Sequence, residues 1–331
     1  MRYVRGVARA SVPGRSALVG NPSDGFGGAT IAFALEELEA VVQAEPALAI
    51  ELIAPEERLE FASPAEFVDA GAAGRYPGSG PLSLLMAAAK RFTDRNPELA
   101  DRGVRLELLH SSIPPGVGLA GSSAIVIGAL RALGGLFGEP IPDRALPRFA
   151  LECETEELGI SAGLQDRVVQ TYGGVLFMDF DPSNPDGGRW EALDPSLLPP
   201  LFVAWLAEAE TDSGLTHRAA HERFDGGDPE IVATMAEIGR LAERALTPLT
   251  VRDSAGLGVL LDQNFDLRRR IYDLDPRHVE LIETARRLGA PANYTGSGGA
   301  IVGLFRDDEH LAELREALEA LGCELLVRRG P

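Results

Sequence analysis

The sequence predicts a mixed helix-and-strand protein of two domains, and three observations carry that expectation. The chain has 331 residues, enough for a sizeable core and for a second domain. Segments with helical and with strand periodicity are interspersed from end to end. Near the middle, residues 181–188 collect Asp, Pro and Gly, the punctuation of a boundary. The domains are accordingly expected at 1–185 and 186–331.

In chain order, 4–10 and 16–19 read as short strands around a turn at Pro13 and Gly14. The glycine-rich bend at 25–28 leads into an apolar segment, 30–38, expected to be a helix, with strand-like residues at 40–50. Residues 81–93 read as a helix, with Leu84, Leu85, Ala88 and Phe92 at core spacing. Residues 104–110 alternate as a strand. The stretch 124–137 is almost wholly apolar, with Arg131 its one charge, and a helix apolar on nearly every side belongs inside a domain. A helix at 143–158, a loop ending at Asp166 and a strand at 173–180 complete the first half. The second half reads as a strand at 201–207 and helices at 229–245, 254–271 and 277–288. A glycine-rich strand entry at 295–305, a helix at 308–321 and a strand at 323–327 close it. No internal repeat or long low-complexity segment is present.

Composition narrows the function. Hydrophobic residues make up 45% of the chain, and its 37 glycines are clustered, which points to tight backbone sites and not to disorder. The net charge of −19 argues against nucleic acid or an anionic membrane as the main partner. Cys153 and Cys323 lack metal-ligand spacing and read as small buried apolar residues suited to a reducing compartment. The first twelve residues have no apolar core of a signal peptide, and no run of about eighteen apolar residues occurs. A cytoplasmic location is expected. An enzyme this acidic that handles a polyanionic nucleotide must build local positive potential from backbone amides, a few arginines and a metal ion.

PPGVGLAGSSA, from Pro114 to Ala124, has the properties of such a cradle. Gly116, Gly118 and Gly121 permit close approach of backbone to ligand, and Ser122 and Ser123 stand where a helix begins. The first amides of a helix have no internal partner and meet the positive end of the macrodipole, so phosphate fits there. A serine hydroxyl at that point can join a magnesium shell. Between Ser111 and Leu130 no residue is charged. The loop is not a Walker A motif, and read alone it also fits a serine N-cap after a glycine turn.

Three further segments draw attention. Pro13-Gly14-Arg15 precedes a short apolar strand, and then Asn21-Pro22-Ser23-Asp24-Gly25, where an Asx-type turn explains all but the arginine. Glu154 shares a helical face with Leu151 and Leu158. A carboxylate among apolar neighbours is costly unless paired, with a metal ion as one possible partner; alternatively Glu152, Glu154, Glu156 and Glu157 form a solvated acidic run. Tyr294-Thr295-Gly296-Ser297-Gly298-Gly299 enters an apolar strand, and residues 291–305 are again uncharged; a simple tight turn is the alternative.

Taken in order, these segments resemble the three motifs of the GHMP kinase superfamily, and among its members they are most similar to glucuronokinases. The resemblance runs from about Arg5 to Val327. Ala120, inserted between Leu119 and Gly121, departs from the usual Gly-Leu-Gly-Ser-Ser loop in the way glucuronokinase-like members do. Asn21-Pro22 stands where galactokinases have Glu-His. Ala162-Gly163-Leu164-Gln165-Asp166-Arg167 with Tyr172-Gly173-Gly174 looks like the catalytic-aspartate segment, and Asp212, Ser213, Gly214, His217 and residues 264–270 also look like glucuronokinase segments.

The resemblance implies a two-domain α+β fold, with an amino-terminal domain like ribosomal S5 domain 2 and a ferredoxin-like carboxy-terminal domain. It implies ATP held by Pro115, Gly116, Gly118, Gly121, Ser122, Ser123 and Ala124, and Mg²⁺ on Ser122, Ser123 and Glu154. Asp166 would be the base or electrostatic orienter of the attacking hydroxyl; an Asp beside an Arg is a weak base, so positioning is its expected task. Arg15 would stabilise charge during transfer or tune Asp166. Asp24, Asn21, Tyr172, Gly296, Ser297 and Gly298 would meet the sugar. The implied reaction is phosphorylation of D-glucuronate at its anomeric hydroxyl. The alternatives are another acceptor (galacturonate, arabinose, galactose or mevalonate) or a non-catalytic sugar or nucleotide sensor. Arg9, Arg15, Arg167, Arg218 and Arg268 are all open as readers of a uronate carboxylate, and one of the trio 268–270 is expected to face the site. His217 and His221 lack a third ligand nearby and read as ordinary polar residues.

Overall fold

The computed structural model describes all residues except 1, 5, 185–186, 208–212 and 330–331, together with the side chains of 2–4 and 213–218. Arg5, Asp212 and the side chains of Ser213, His217 and Arg218 therefore lie outside the described residues.

The element order is β1 (Arg2–Val4), β2 (Val7–Val19), β3 (Ala29–Ala47), β4 (Ile50–Ala54), β5 (Glu57–Phe61), α1 (Pro64–Ala72), α2 (Pro81–Arg95), β6 (Gly103–Ser111), α3 (Gly121–Phe137), α4 (Leu146–Thr155), α5 (Gln165–Tyr172), β7 (Val175–Asp179) and β8 (Arg189–Leu193). There follow β9 (Leu201–Leu206), α6 (Ser213–Asp225), α7 (Pro229–Thr250), α8 (Ser254–Ile271), α9 (Pro276–Arg287), β10 (Ala292–Tyr294), β11 (Ala300–Leu304), α10 (Asp308–Glu319) and β12 (Cys323–Arg328). Among the described residues no helix is long and apolar enough to cross a membrane.

The chain gathers into two compact units. One comprises Met1–Gly14, Leu35–Ile113 and Ala120–Tyr172; the other comprises Arg15–Ala34, Pro114–Leu119 and Gly173–Pro331.

In the first unit the strand order is β1-β2-β3-β6-β4-β5, antiparallel at β3–β6 and parallel at β4–β6, the latter across a crossover that holds α1 and α2. Ser63 caps α1 through the Glu66 amide, and Glu66 reaches back to the Ala62 amide, a reciprocal cap one residue out of the usual register. Helix α3 lies at the centre, against α2, α4, α5 and β6, and every residue from Ser123 to Leu130 is buried. Burying side chains such as Ile127, Leu130 and Leu133 contributes about 1.5–3 kcal/mol each. Gly128 permits this depth, since a Cβ there would stand 2.9 Å from Val42 Cγ2.

In the second unit β9, the helices that follow it, β10, β11, α10 and β12 make a β-α-β-β-α-β succession. The four strands are antiparallel in the order β10-β11-β9-β12. That order is the ferredoxin-like arrangement. Phe202, Phe265, Leu281, Ile282 and Leu314 fill its core. The Ala29–Phe33 part of β3 pairs with β7, which in turn pairs with β8.

Three sequence expectations are corrected. Residues 30–38 are not a helix but the first half of β3, hydrogen-bonded to β7 at 29–33 and to β6 at 40–47. Ala29 to Leu35 are buried on both faces, and this pairing overrides the helical preference of an Ala-, Leu- and Glu-rich segment. Pro13 and Gly14 likewise make no turn and lie inside the single strand β2, where the Pro13 carbonyl accepts the Gln170 side-chain amide at 3.2 Å. The helix expected at 143–158 is shorter, Leu146–Thr155.

Candidate active site

In the first unit the start of α3 is shaped by Ala120, whose φ of 65° puts a non-glycine residue in the left-handed region. That conformation costs about 1–2 kcal/mol for a residue with a Cβ. Three hydrogen bonds converge on the Ala120 carbonyl and hold it: from the Ala124 amide (3.2 Å), the Ser123 hydroxyl (3.2 Å) and Gln170 Nε2 (2.7 Å). The extra alanine noted in the sequence is thus the N-cap of α3. The amides of Gly121, Ser122 and Ser123 precede the first intrahelical bond, no acidic residue occupies the first turn, and Ser122 is exposed. Such an end attracts anions.

Glu154, in the last turn of α4, is fully buried, and Asp166 is in the first turn of α5 with 22% of its side chain exposed. One guanidinium serves both. Arg167, 2% exposed, donates from Nη2 to Glu154 Oε2, places Nη1 3.7 Å from Asp166 Oδ2, and donates from Nη1 to the Gly163 carbonyl at 2.7 Å. The partner that offsets the burial of Glu154 is therefore an arginine. Glu154 Oε1 is buried without a hydrogen-bond partner, which leaves one oxygen of the pair uncommitted. The acidic run divides accordingly: Glu152 and Glu156 pair with Arg91, Glu157 with Lys90, and Glu154 alone turns inward. The Tyr76 hydroxyl also bonds Glu157, and burial with that carboxylate beside it raises the phenol above its usual range.

In the second unit, two glycine segments far apart in sequence meet backbone to backbone. A Cβ on Gly296 would stand 2.2 Å from the Gly118 carbonyl oxygen, and one on Gly118 would stand 2.9 Å from the Ser297 nitrogen. Arg15, 4% exposed, donates from Nη1 to the carbonyls of Gly118 (3.3 Å) and Thr295 (2.5 Å), and its backbone amide donates to Leu119. The Thr295 hydroxyl closes the group on the Gly118 carbonyl at 3.3 Å. Asn21 Nδ2 donates to the Gly296 carbonyl at 3.0 Å. Asn264 then takes the Gly20 amide (2.6 Å) and gives Nδ2 to the Asn21 carbonyl (2.9 Å). Asp24 lies partly exposed in the short 3-10 turn Ser23–Phe26.

Of the residues singled out in the sequence, Glu154, Asp166, Ser122, Ser123 and Ala124 belong to the first unit, where the two acids share Arg167. Asn21, Arg15, Gly118, Gly296 and Ser297 come together in the second, with Asp24 and Gly298 in the same unit. Pro115 and Gly116 are exposed, and Tyr172 ends α5 with 41% exposure. His221 stacks on the Phe26 ring at 4.3 Å, and burial lowers its pKa, an ordinary packing role. Three positioning residues have no role in the sequence reading, although Asn264 and Thr295 lie in segments it singles out. Gln170 ties the Asp166 helix to the cap of α3, Asn264 ties α8 to the first motif, and Thr295 joins the two glycine segments. Asn264 carries one faint signal, an amide side chain one turn after the apolar pair Leu260 and Leu261.

Comparison with known proteins agrees with this arrangement. Residues 83–174 match the GHMP kinases N terminal domain and residues 242–322 the GHMP kinases C terminal domain. The chain is 37% identical to Glucuronokinase 1 of Arabidopsis thaliana over 314 residues, covering 90% of this chain and 86% of that protein. It is 38% identical to Probable glucuronokinase 2 of the same plant over 304 residues, covering 87% and 81%. The crystal structure of Lactococcus lactis galactokinase with galactose superposes with a TM-score of 0.79 at 15% identity, over 98% of this chain and 94% of that one, which shows the shared fold. The two-domain α+β fold expected from the motifs is the fold observed, and the chain belongs to the GHMP kinase family.

Proposed function

We propose that this kinase transfers the γ-phosphoryl group of ATP to the anomeric hydroxyl of D-glucuronate, releasing ADP and glucuronate 1-phosphate. The observation that carries the chemistry is the single buried guanidinium of Arg167 gripping Glu154 and Asp166 together. Identity of 37–38% to glucuronokinases over nearly the whole chain supports the acceptor.

In this reading the amides of Gly121, Ser122 and Ser123 take phosphate oxygens, with Pro115, Gly116, Gly118 and Ala124 completing the cradle. Charge develops on those oxygens during transfer, and pre-aimed N–H groups stabilise it without reorganisation. Asp166 accepts a hydrogen bond from the anomeric hydroxyl and aligns it. Arg167 fixes the carboxylate, so Asp166 orients the nucleophile and takes its proton late in the transfer. Asp24 accepts hydroxyl hydrogen bonds from the sugar, and Asn21, Tyr172, Gly296, Ser297 and Gly298 border it. Arg15 holds the two glycine segments in register, and we assign it the task of stabilising charge during transfer.

Magnesium suits the residues present: the exposed Ser122 hydroxyl and the uncommitted Oε1 of Glu154 are hard oxygen donors, with Ser123 adjacent. When bound there it would neutralise charge on the β- and γ-phosphates. Among the described residues no group of three or more His, Cys, Asp or Glu is gathered. A magnesium held by one carboxylate, a hydroxyl and substrate phosphates requires none. We also assign 1–185 and 186–331 as the two family domains, each containing one family match, and the cytoplasm as the place of action.

The test is ADP release by the full chain. Release should require both glucuronate and Mg²⁺, and Asp166→Ala should abolish it while leaving the melting temperature nearly unchanged. Turnover that survives this substitution would remove Asp166 from the mechanism. Saturation by a neutral sugar at much lower concentration than glucuronate would remove the uronate.

A further inference from the structure

Arg268 and Arg167 are the two largest fully buried side chains among the described residues; Arg268 is 1% exposed, yet its Nε and Nη1 have no hydrogen-bond partner. Its guanidinium lies over the rings of Tyr272 (5.4 Å) and Tyr294 (5.1 Å), which return part of the hydration lost but none of the hydrogen bonds. A buried charge left in this state is costly, and proteins keep one where a counter-ion arrives. Burial pushes the Arg268 guanidinium below its usual range, the direction expected of a charge short of partners.

The surroundings suggest what arrives. Arg268 is one turn beyond Asn264 on the same face of α8, and Asn264 bonds the Gly20 amide and the Asn21 carbonyl. Arg268 is thereby aimed toward the 20–24 segment and feels the charge of Asp24. Around it, Tyr294 Oη and His278 Nε2 are also buried without partners, and the His278 ring borders Gly298, where a Cβ would stand 3.0 Å from Nδ1. Arg269 and Arg270, by contrast, are exposed, and Arg269 pairs with Glu283. The trio thus divides into one inward and two outward members.

We propose that Arg268 reads the carboxylate of the acceptor sugar. This rests on the uronate reading above. The planar fork of Arg268 matches a carboxylate, and a sugar whose hydroxyls meet Asp24 would present its charged end to it. Tyr294 and His278 supply donors for the remaining oxygens.

The experiment compares glucuronate with its uncharged amide, glucuronamide, in wild-type, Arg268→Met and Arg268→Lys chains, alongside melting temperatures without ligand. The wild type should prefer glucuronate by roughly 10- to 100-fold in kcat/KM, the value of one or two charge-assisted hydrogen bonds. In Arg268→Met the preference should collapse to within about threefold, with KM for ATP unchanged, and Arg268→Lys should fall between. Without ligand, Arg268→Met should melt no lower than the wild type, because it removes an unpaired buried charge. A folded Arg268→Met chain that keeps the preference overturns the assignment. So does one that fails to fold, since that makes the guanidinium structural. A wild-type chain indifferent to every uronate removes the acceptor reading itself, and this inference with it.

Discussion

Replacing Glu154 by Ala strikes the pair on which the acidic site is built. It leaves the Arg167 guanidinium, 2% exposed, without its closest counter-ion. Breaking a buried pair from one side costs about 3–5 kcal/mol. Asp166 remains 3.7 Å away and is part-hydrated, so it recovers some of this, and we expect a net loss of about 2–4 kcal/mol. For domains of this size each kcal/mol moves the melting temperature by about 2–4 °C, which gives a fall of roughly 5–15 °C. The companion variant is the double change Glu154→Leu with Arg167→Met, which exchanges the pair for apolar groups of similar volume. It should regain most of the lost stability, as apolar replacement of buried pairs commonly does. Both variants should lack ADP release, because restoring the fold does not restore the carboxylate. Differential scanning fluorimetry and a coupled ADP assay read the two effects separately. A Glu154→Ala chain melting within about 1 °C of the wild type would refute the buried pair, and a double variant with restored turnover would refute a chemical role for Glu154.

Other consequences follow from the same geometry. Gly296→Ala would place a Cβ 2.2 Å from the Gly118 carbonyl, so the two glycine segments must separate; stability should fall by about 1–3 kcal/mol and KM for ATP should rise, and an unchanged chain would contradict the contact. Cys153 and Cys323 are buried, and burial raises both thiols, Cys323 to about 12, so neither should react with a thiol reagent until the chain unfolds. His278 and His221 have pKa values lowered chiefly by burial. A lowered folded value means the unfolded chain binds the proton first, so their contribution is intact above the ordinary histidine value near 6.5 and lost as pH falls below it. Stability between pH 7 and 5 should decline less in His278→Gln than in the wild type, as thermal melts across that range would show.

The sequence was most informative where one physical requirement acts alone. The stretch 124–137, apolar on nearly every side, left little choice but a buried helix, and α3 is that helix. The bounds of α8 were legible because Asp253 caps it and its apolar spacing is regular. Legibility failed where long-range pairing decides. Residues 30–38 satisfy a helical reading locally and become a strand only because β3 pairs with β2 and, at 29–33, with β7. Pro13 and Gly14 resemble a turn until the strand runs straight through them. At the site, the spacing of Glu154 and Asp166 suggested a common task, but the residue that joins them, Arg167, was read as a neighbour that weakens the base or as one of five arginines open to a substrate carboxylate, not as the link between the two acids. Gln170 and Asn264 could not be placed because their partners are backbone carbonyls and amides distant in sequence. Arg268 stood among five arginines open to a uronate carboxylate, and the packing of α8, which turns it inward, sets it apart from Arg269 and Arg270.

The reaction proposed for this kinase puts phosphate on the anomeric oxygen of a uronate. Its most direct test is the product formed by the purified chain from ATP and glucuronate, followed by phosphorus and proton NMR. One ADP should appear per glucuronate consumed, with a new phosphorus signal coupled to the anomeric proton. ADP released equally without the sugar, or phosphorus coupled to any other ring proton, would contradict it.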